Sequence, residues 1–166
     1  MAQTNEPLLS VKGLKQYFPV SKKFTVRAVD NISFDIYPGE TYGLVGESGS
    51  GKSTTGRSII RLYDPTEGTI LFNGEDISKK LTAKQEKMLR SDMQMVFQDP
   101  MASLNPHKKI LDTIAMGLDA HHPHMDQKER VERVSKMMEM VGLNPAYMNR
   151  YPNQFSGGQR QRIGLG

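Results

Sequence analysis

The residues best suited to chemistry in this sequence form one octapeptide and the residue after it. They are Gly46, Glu47, Ser48, Gly49, Ser50, Gly51, Lys52, Ser53 and then Thr54. The octapeptide matches G-x-x-x-x-G-K-[ST] in full. In this pattern glycines let backbone N–H groups approach phosphate oxygens, the lysine supplies a positive charge, and the hydroxyl can ligate Mg²⁺. The segment therefore predicts a loop that binds a nucleoside triphosphate.

The flanking segments supply the elements that must position this loop. Residues 41–45 form a short apolar run typical of a buried strand, and residues 53–62 predict a helix with Ile59, Ile60 and Leu62 available for packing. A strand, a loop and a helix are the context that the motif requires. The alternative is a glycine-rich turn with an incidental lysine, which this context disfavours.

The rest of the first hundred residues predicts a mixed α/β core. Apolar segments and alternation indicate strands, and proline, glycine and asparagine mark turns. The predicted strands cover 8–11, 24–29, 32–36, 68–72 and 93–98, and the predicted turns cover 37–40 and 73–74.

After Asp99-Pro100 the sequence becomes helical and rich in methionine. Val131, Val134, Met138 and Val141 recur at spacings of three and four, which predicts one apolar helix face that ends near Gly142. The methionines fit core or interface packing better than a metal or cofactor site.

A second glycine-bearing cluster lies near the end of the chain. It consists of Phe155, Ser156, Gly157, Gly158 and Gln159. Ser156 occupies the N-cap position of a helix predicted to follow, and the two glycines would let a phosphate approach its N–H groups. The cluster could also be a capped turn, and the octapeptide a hundred residues earlier favours a second phosphate-binding site.

Composition limits the class of protein. The chain has 166 residues, 37% of them hydrophobic and 24% charged, which suits one globular domain. The net charge of +4 could suit nucleic acid, anionic lipid or nucleotide, but no block of like charges concentrates it, so we expect a solvated basic surface. We expect no nucleic-acid partner. The absence of cysteine excludes disulfides, thiolate zinc sites and cysteine nucleophiles. We see no signal peptide and no apolar run of about 18 residues, so any membrane span would belong to another subunit.

Together the two motifs resemble the ATP-binding cassette (ABC) ATPases, the nucleotide-binding subunits of ABC transporters, whose signature is L-S-G-G-Q. Phe155 replaces the leucine, and the resemblance covers essentially the whole chain. It implies an α/β fold of the P-loop NTPase type, an ABC nucleotide-binding domain with an antiparallel β region and a helical subdomain. Residues 1–166 would form one incomplete domain. The β region and phosphate-loop core would occupy about 1–98, and the helical subdomain with the signature about 99–159.

Three further segments refine the resemblance. Gln98-Asp99-Pro100, residues 103–106 (Ser-Leu-Asn-Pro) and Tyr151-Pro152 leading into 155–163 resemble the oligopeptide and dipeptide importer branch. Peptides are therefore the expected cargo. Related importers of that branch handle nickel or glutathione, and the sequence does not separate them.

The resemblance also implies residue roles. Phe18 would stack on adenine, with Tyr17 as its rival, although Phe18 could instead be a strand aromatic packed in the β region. Lys52 would contact the β and γ phosphates of ATP, while the backbone of 49–54 encloses them. Ser53 would ligate Mg²⁺. Gln98 would reach the Mg²⁺ or the attacking water and link nucleotide state to the membrane subunit.

Partners follow from the same resemblance. Residues Phe155 to Gln159 would face the nucleotide held by a second ABC ATPase subunit, in a head-to-tail homo- or heterodimer. Transmembrane permease subunits would dock on the Gln98 loop and the helical region, and a solute-binding protein would act indirectly. The expected location is the cytoplasmic face of the cell membrane.

One departure from the family concerns the end of the sequence. Family members continue past the signature into an Asp-Glu strand and a switch histidine, whereas this sequence stops at Gly166. The C-terminal part of the core is therefore expected to be missing, with no catalytic residue beyond Lys52 and Gln98. The expected activity of this chain is ATP binding at most, and the alternative is a non-hydrolysing binding or interaction module. DNA-repair ATPases with these motifs are disfavoured because long coiled coils usually separate their two halves.

The histidines carry no role in this interpretation. His121, His122 and His124 surround Pro123 without a carboxylate or cysteine set that would complete a zinc site. His107 lies beside Lys108 and Lys109, which indicates a solvated loop.

Overall fold

The computed structural model describes residues 6–97 and 104–164. The chain divides into two compact units, Met1–Met95 and Val96–Gly166. The sequence-based assignment of 1–98 and 99–159 to two subdomains remains a prediction. In the described parts of both units, no helix combines the length and apolar character needed to cross a membrane.

An antiparallel sheet of four strands forms the frame of the first unit. The strand order is β2-β1-β3-β4. The strands are β1 Leu9–Ser21, β2 Phe24–Ile36, β3 Glu67–Phe72 and β4 Glu75–Asp76. The predicted Asn73-Gly74 turn joins β3 to β4, and both residues have positive φ, 49° and 78°. Such turns match the twist of paired strands, which explains the tight hairpin.

The described part of this unit also contains the helices α1 Lys52–Ile59 and α2 Ala83–Asp92. Apolar side chains of the sheet, of α2 and of Ile77, which directly follows β4, form one core. Its buried members are Leu9, Val11, Leu14, Val29, Ile70, Phe72, Ile77 and Leu89. Helix α2 was not predicted, although Thr82 and Gln85 form a capping box that its Thr-x-x-Gln sequence could have indicated.

Helix α1 follows the phosphate loop as predicted but ends earlier. It stops at Ile59, and Arg61 has a left-handed φ of 61°. Ile59 packs against the core, whereas Leu62 lies beyond the helix and is 56% exposed. The left-handed turn at Arg61 therefore takes Leu62 off the predicted packing face.

Two predicted strands are wrong. Residues 41–45 and 93–97 are described and have no strand structure. Leu44 and Val45 are 45% and 90% exposed, and Val96 is 65% exposed. An apolar run becomes a strand only when a neighbouring segment of backbone forms hydrogen bonds with it. No described segment pairs with either run.

The second unit is helical. It contains α3 Ile110–His121, α4 Gln127–Met140 and α5 Gly157–Ile163, with short 3₁₀ turns at Pro145–Tyr147 and Pro152–Gln154. The buried core residues are Ile110, Leu111, Ile114, Ala115, Val134, Met138, Leu143, Phe155 and Ile163. The predicted apolar face is confirmed, because Val134 and Met138 are fully buried and Val131 and Val141 pack against them. Gly142, with φ 68°, lies just past the end of α4.

Candidate functional site

The octapeptide forms a glycine-rich loop that ends in the first turn of α1. Gly49 and Gly51 have φ of 81° and 92°, in the left-handed region that side chains disfavour. A Cβ on Gly46 would lie 2.6 Å from the Ser50 Oγ, and one on Gly51 would overlap the carbonyl oxygen of Ala28 in β2. The loop conformation therefore favours glycine at Gly49, conformation and packing together require it at Gly51, and a side chain at Gly46 would have to displace the Ser50 hydroxyl.

Lys52 lies across this loop. Its Nζ donates to the carbonyl oxygens of Gly46 at 2.7 Å and Glu47 at 2.6 Å, and lies 3.4 Å from the Ser50 Oγ. The ammonium group is thus held inside the curve of the loop, where it can face an anion.

The N-terminus of α1 has the properties of an anion site. Gly51 is the N-cap, no side chain caps the helix, and its first turn contains no acidic residue. The first helical hydrogen bond runs from the Thr55 N–H to the Gly51 carbonyl at 2.8 Å. The amides of residues 52–54 therefore precede the helical ladder and, together with the helix dipole, favour phosphate oxygens.

Ser53 and Thr54 occupy the second and third positions of α1. Ser53 is exposed and Thr54 half-buried. An exposed hydroxyl beside a phosphate site is a hard oxygen donor of the type that Mg²⁺ prefers. Ser53 therefore fits the metal role that the resemblance implies.

A cavity of about 300 Å³ adjoins the loop. It is lined by Ala28, Val29, Asp30, Ile32, Leu44, Val45, Gly46, Ser50, Lys52 and Thr55. Strand β2 thus forms one wall, and the loop with α1 forms another.

The two candidate aromatic residues have different surroundings. Phe18 is half-buried and packs edge-to-face on Tyr63, with ring centroids 5.2 Å apart. The Tyr17 hydroxyl donates to Asp30 Oδ1 at 2.5 Å, and Arg27 lies 5.4 Å from the Tyr17 ring centroid. The hydrogen bond to Asp30 raises the pKa of Tyr17. Tyr17 is therefore tied to a residue of the loop cavity, whereas Phe18 contacts the segment after α1.

Gln98 lies outside the described residues, as do Asp99, Pro100 and Ser103. Nearby, Met95 packs on α1, where a Cβ on Gly56 would lie 3.1 Å from the Met95 Cε. The segment that leads toward Gln98 thus contacts the helix of the phosphate loop.

The second motif forms the start of α5 in the helical unit. Ser156 is the N-cap; its Oγ accepts from the Gln159 N–H at 3.3 Å, and the Gln159 Oε1 accepts from the Ser156 N–H at 2.9 Å. The capped turn considered from the sequence is therefore present. A Cβ on Gly157 or Gly158 would meet no atom within 4 Å.

Phe155 differs from its neighbours in the motif. It is 5% exposed and packs edge-to-face on Tyr147 at a centroid distance of 6.3 Å. Phe155 anchors the turn in the core, while Ser156 and both glycines are exposed at the surface.

His121, at the end of α3, lines a surface cavity of about 370 Å³ together with His122, His124 and Glu129. Over residues 6–97 and 104–164, no group of three or more His, Cys, Asp or Glu is arranged to hold a metal ion.

Sequence reasoning missed two polar residues that join the sheet to α1. Gln16 on β1 and Ser58 on α1 are both buried, and the Gln16 Oε1 lies 3.2 Å from the Ser58 Oγ. The available signal was Gln16 itself, a polar residue on the same strand face as Leu14 and Phe18, which lie two positions before and after it.

Comparison with known proteins gives a consistent result. The family model described as "ABC transporter" matches residues 29–166. The oligopeptide transport ATP-binding protein OppF of Bacillus subtilis is 58% identical over 160 residues, which are 96% of this chain and 52% of that protein. The dipeptide transport ATP-binding protein DppF of Lactococcus lactis is 49% identical over 160 residues, 95% of this chain and 51% of that protein. The chain spans about half the length of these curated relatives.

A solved structure agrees with these relatives. The ATP-binding cassette MJ0796, in a dimeric post-hydrolysis state bound to ADP and Pi, is 28% identical with a TM-score of 0.81. The match covers 95% of this chain and 67% of that one.

Proposed function

The chain belongs to the ABC transporter family, and from this premise we propose that it is part of an ATP-binding subunit that powers a peptide importer. The observation that carries the proposal is the phosphate loop: residues 46–53 curve around the Lys52 ammonium and end at a helix N-terminus without a side-chain cap. The names of the relatives, oligopeptide and dipeptide transport ATP-binding proteins, support peptides as the cargo.

ATP would be held mainly by its phosphates. The amides of residues 52–54 and the positive end of α1 provide donors fixed before the ligand arrives. Lys52 would exchange its contacts with the loop carbonyls for contacts with the β and γ phosphates. This exchange replaces hydrogen bonds from the ammonium to neutral carbonyl oxygens by stronger ones to negatively charged phosphate oxygens.

Mg²⁺ fits the chemistry of the same site. The exposed Ser53 hydroxyl would be one ligand, with Gln98 as a second, and bound Mg²⁺ would neutralise charge on the β and γ phosphates. Lys52 and the α1 amides would orient the triphosphate.

The base would bind beside the β1–β2 hairpin. Phe18 remains our proposed stacking residue, with Tyr17 as the alternative. Tyr17 donates a hydrogen bond to Asp30, which lines the loop cavity. A stacked aromatic would add affinity for the flat base without strict specificity.

The second motif would serve a nucleotide on another subunit. Among the described residues nothing occupies the space where a side chain at Gly157 or Gly158 would lie, so packing against them does not require glycine there. A requirement imposed by a closely approaching partner would account for both. The MJ0796 cassette is dimeric, and we propose a similar head-to-tail pair in which Ser156 to Gln159 meet the partner's γ-phosphate.

The remaining partners follow from the family. Permease subunits would dock on the helical unit and the Gln98 loop at the cytoplasmic face of the membrane, and a solute-binding protein would deliver the peptide to them. ATP-driven closure of the ATPase pair would power import, with hydrolysis by the whole protein resetting it.

An uptake experiment tests this function. Cells that carry Lys52→Ala in the natural gene should lose uptake of a labelled oligopeptide, while Lys12→Ala, an exposed lysine on β1, should retain it. Loss of nickel or glutathione uptake with normal peptide uptake would overturn the cargo assignment. Normal uptake of all three solutes in Lys52→Ala cells would overturn the importer function itself.

A further inference from the structure

Two buried polar side chains connect β1 to α1. Gln16 is 4% exposed and Ser58 is 0% exposed. The Ser58 Oγ lies 3.2 Å from the Gln16 Oε1 and 2.9 Å from the carbonyl oxygen of Thr54, one turn earlier in α1. A buried polar group without a hydrogen-bond partner destabilises the fold, so Gln16 and Ser58 stabilise it by bonding to each other.

The pair also constrains the orientation of the Gln16 amide. A serine hydroxyl has one proton, so it cannot donate to Thr54 and to Gln16 at once. Rotating the amide by half a turn exchanges its oxygen and nitrogen, which then lets the Gln16 NH₂ donate to Ser58 while Ser58 donates to Thr54. Both contacts are then satisfied, and α1 is attached to the sheet by a specific hydrogen bond.

The position of this bond links it to the phosphate loop. Ser58 lies in the last turn of α1, and the first turn of the same helix carries Lys52 and the loop amides. At that first turn Gly51 closely approaches Ala28 of β2. On the other side of the loop, residues 40–47 have no strand pairing within the described part of the chain. The placement of the loop therefore depends strongly on how α1 is held.

A second attachment lies just beyond the helix. Arg61 donates through its Nη1 to the carbonyl oxygens of Ile77 and Lys79, and its side chain is 4% exposed. Arg61 holds the segment after α1 in place, whereas Gln16 contacts Ser58 within the helix.

We propose that Gln16 is a positioning residue for the phosphate loop. It holds α1 against β1 through Ser58, so that Lys52 and the N-terminal amides keep the arrangement that receives phosphate. This role rests on the proposed ATP-binding function. Without the bond, α1 would occupy its binding-competent position for a smaller fraction of the time. The apparent affinity for ATP would fall in proportion to that fraction.

Calorimetric titration of MgATP into the natural full-length protein tests the proposal. Gln16→Leu and Ser58→Ala should each weaken binding about five-fold, the factor that corresponds to one net hydrogen bond of ~1 kcal/mol. The double variant should bind about as weakly as either single one, because both remove the same bond. Ser10→Ala is the matched control, since Ser10 is 4% exposed on β1 and its side chain makes no hydrogen bond to α1 within the described residues.

Wild-type affinity in Gln16→Leu and Ser58→Ala, with binding lost in Lys52→Ala, would overturn the positioning role and leave the ATP-binding function standing. Unchanged binding in Lys52→Ala would instead overturn the function, and the positioning role with it. An equal loss in Ser10→Ala would also overturn the positioning role, because it would show a general effect of disturbing β1.

Hydrogen exchange provides a readout that does not require nucleotide. In Gln16→Leu and Ser58→Ala, the amides of α1 should exchange faster while those of β1 and β3 keep wild-type rates. Alanine has the highest helix propensity, so Ser58→Ala is expected to fold even if Gln16→Leu does not. Unchanged exchange in α1 would contradict the proposal.

Discussion

A Cβ atom on Gly51 would overlap the carbonyl oxygen of Ala28 in β2. The phosphate loop therefore contacts the antiparallel sheet at a point where only glycine fits. This contact joins the two walls of the loop cavity, because Ala28 of β2 lines one wall and the loop lines the other.

We predict that Gly51→Ala destabilises the protein more than Gly49→Ala. Both glycines have left-handed φ, which costs another residue about 1–2 kcal/mol. Only Gly51 also faces a backbone atom, and overpacking of this kind adds about 1–3 kcal/mol. The free energy of unfolding from urea titrations measures the difference, and equal losses in the two variants would show that Ala28 does not restrict Gly51.

We predict that Gly158→Ala prevents ATP-dependent dimerisation without lowering the stability of the fold. Its Cβ would meet no atom within 4 Å, and alanine favours a helix over glycine by about 0.5–1 kcal/mol. The melting temperature should therefore stay the same or rise, while dimerisation in ATP, measured by sedimentation, should be lost. Gln161→Ala, an exposed position in the same helix, is the control. Normal ATP-dependent dimerisation of Gly158→Ala would contradict the proposed role of the motif.

The ion pair between α3 and α4 predicts a pH-dependent contribution to stability. Arg130 donates to both carboxylate oxygens of Asp119, through Nε and Nη2 at 3.0 Å each. This hydrogen bonding lowers the pKa of Asp119 below its ordinary 3.8. Since the folded-state pKa is the lower one, the stabilisation is present above the ordinary pKa and is lost as the pH falls through the folded-state value.

Asp119→Asn should therefore lower the melting temperature at pH 7, and its difference from wild type should shrink below about pH 4. Glu139→Gln is the matched control, because Glu139 is an exposed carboxylate on α4 that forms no ion pair among the described residues. A difference for Asp119→Asn that stays constant from pH 7 to pH 3 would show that the carboxylate charge does not contribute.

The sequence predicted best what depends on neighbouring residues. Residue types a few positions apart in the sequence predict the loop at 46–53, the turn at Asn73-Gly74 and the apolar face of α4. The N-cap at Ser156 was also predicted correctly.

Features that depend on distant partners were not predictable in this way. The runs 41–45 and 93–97 have the composition of strands, but strand structure requires a partner that their own residues cannot specify. The Gln16–Ser58 pair spans 42 positions of the chain. Phe155 was assigned to the signature with its neighbours, and only the fold shows that its side chain lies in the core.

We propose that residues 46–54 bind the phosphates of ATP, and a calorimetric titration of MgATP into wild type and Lys52→Ala measures this binding. Wild type should bind saturably, and the variant should bind about 10- to 100-fold more weakly, since charge-assisted hydrogen bonds contribute about 1.5–3 kcal/mol. Lys12→Ala should match wild type, because Lys12 is an exposed lysine on β1 that does not line the loop cavity. Equal MgATP affinity in wild type and Lys52→Ala would show that this loop does not bind the phosphates of ATP.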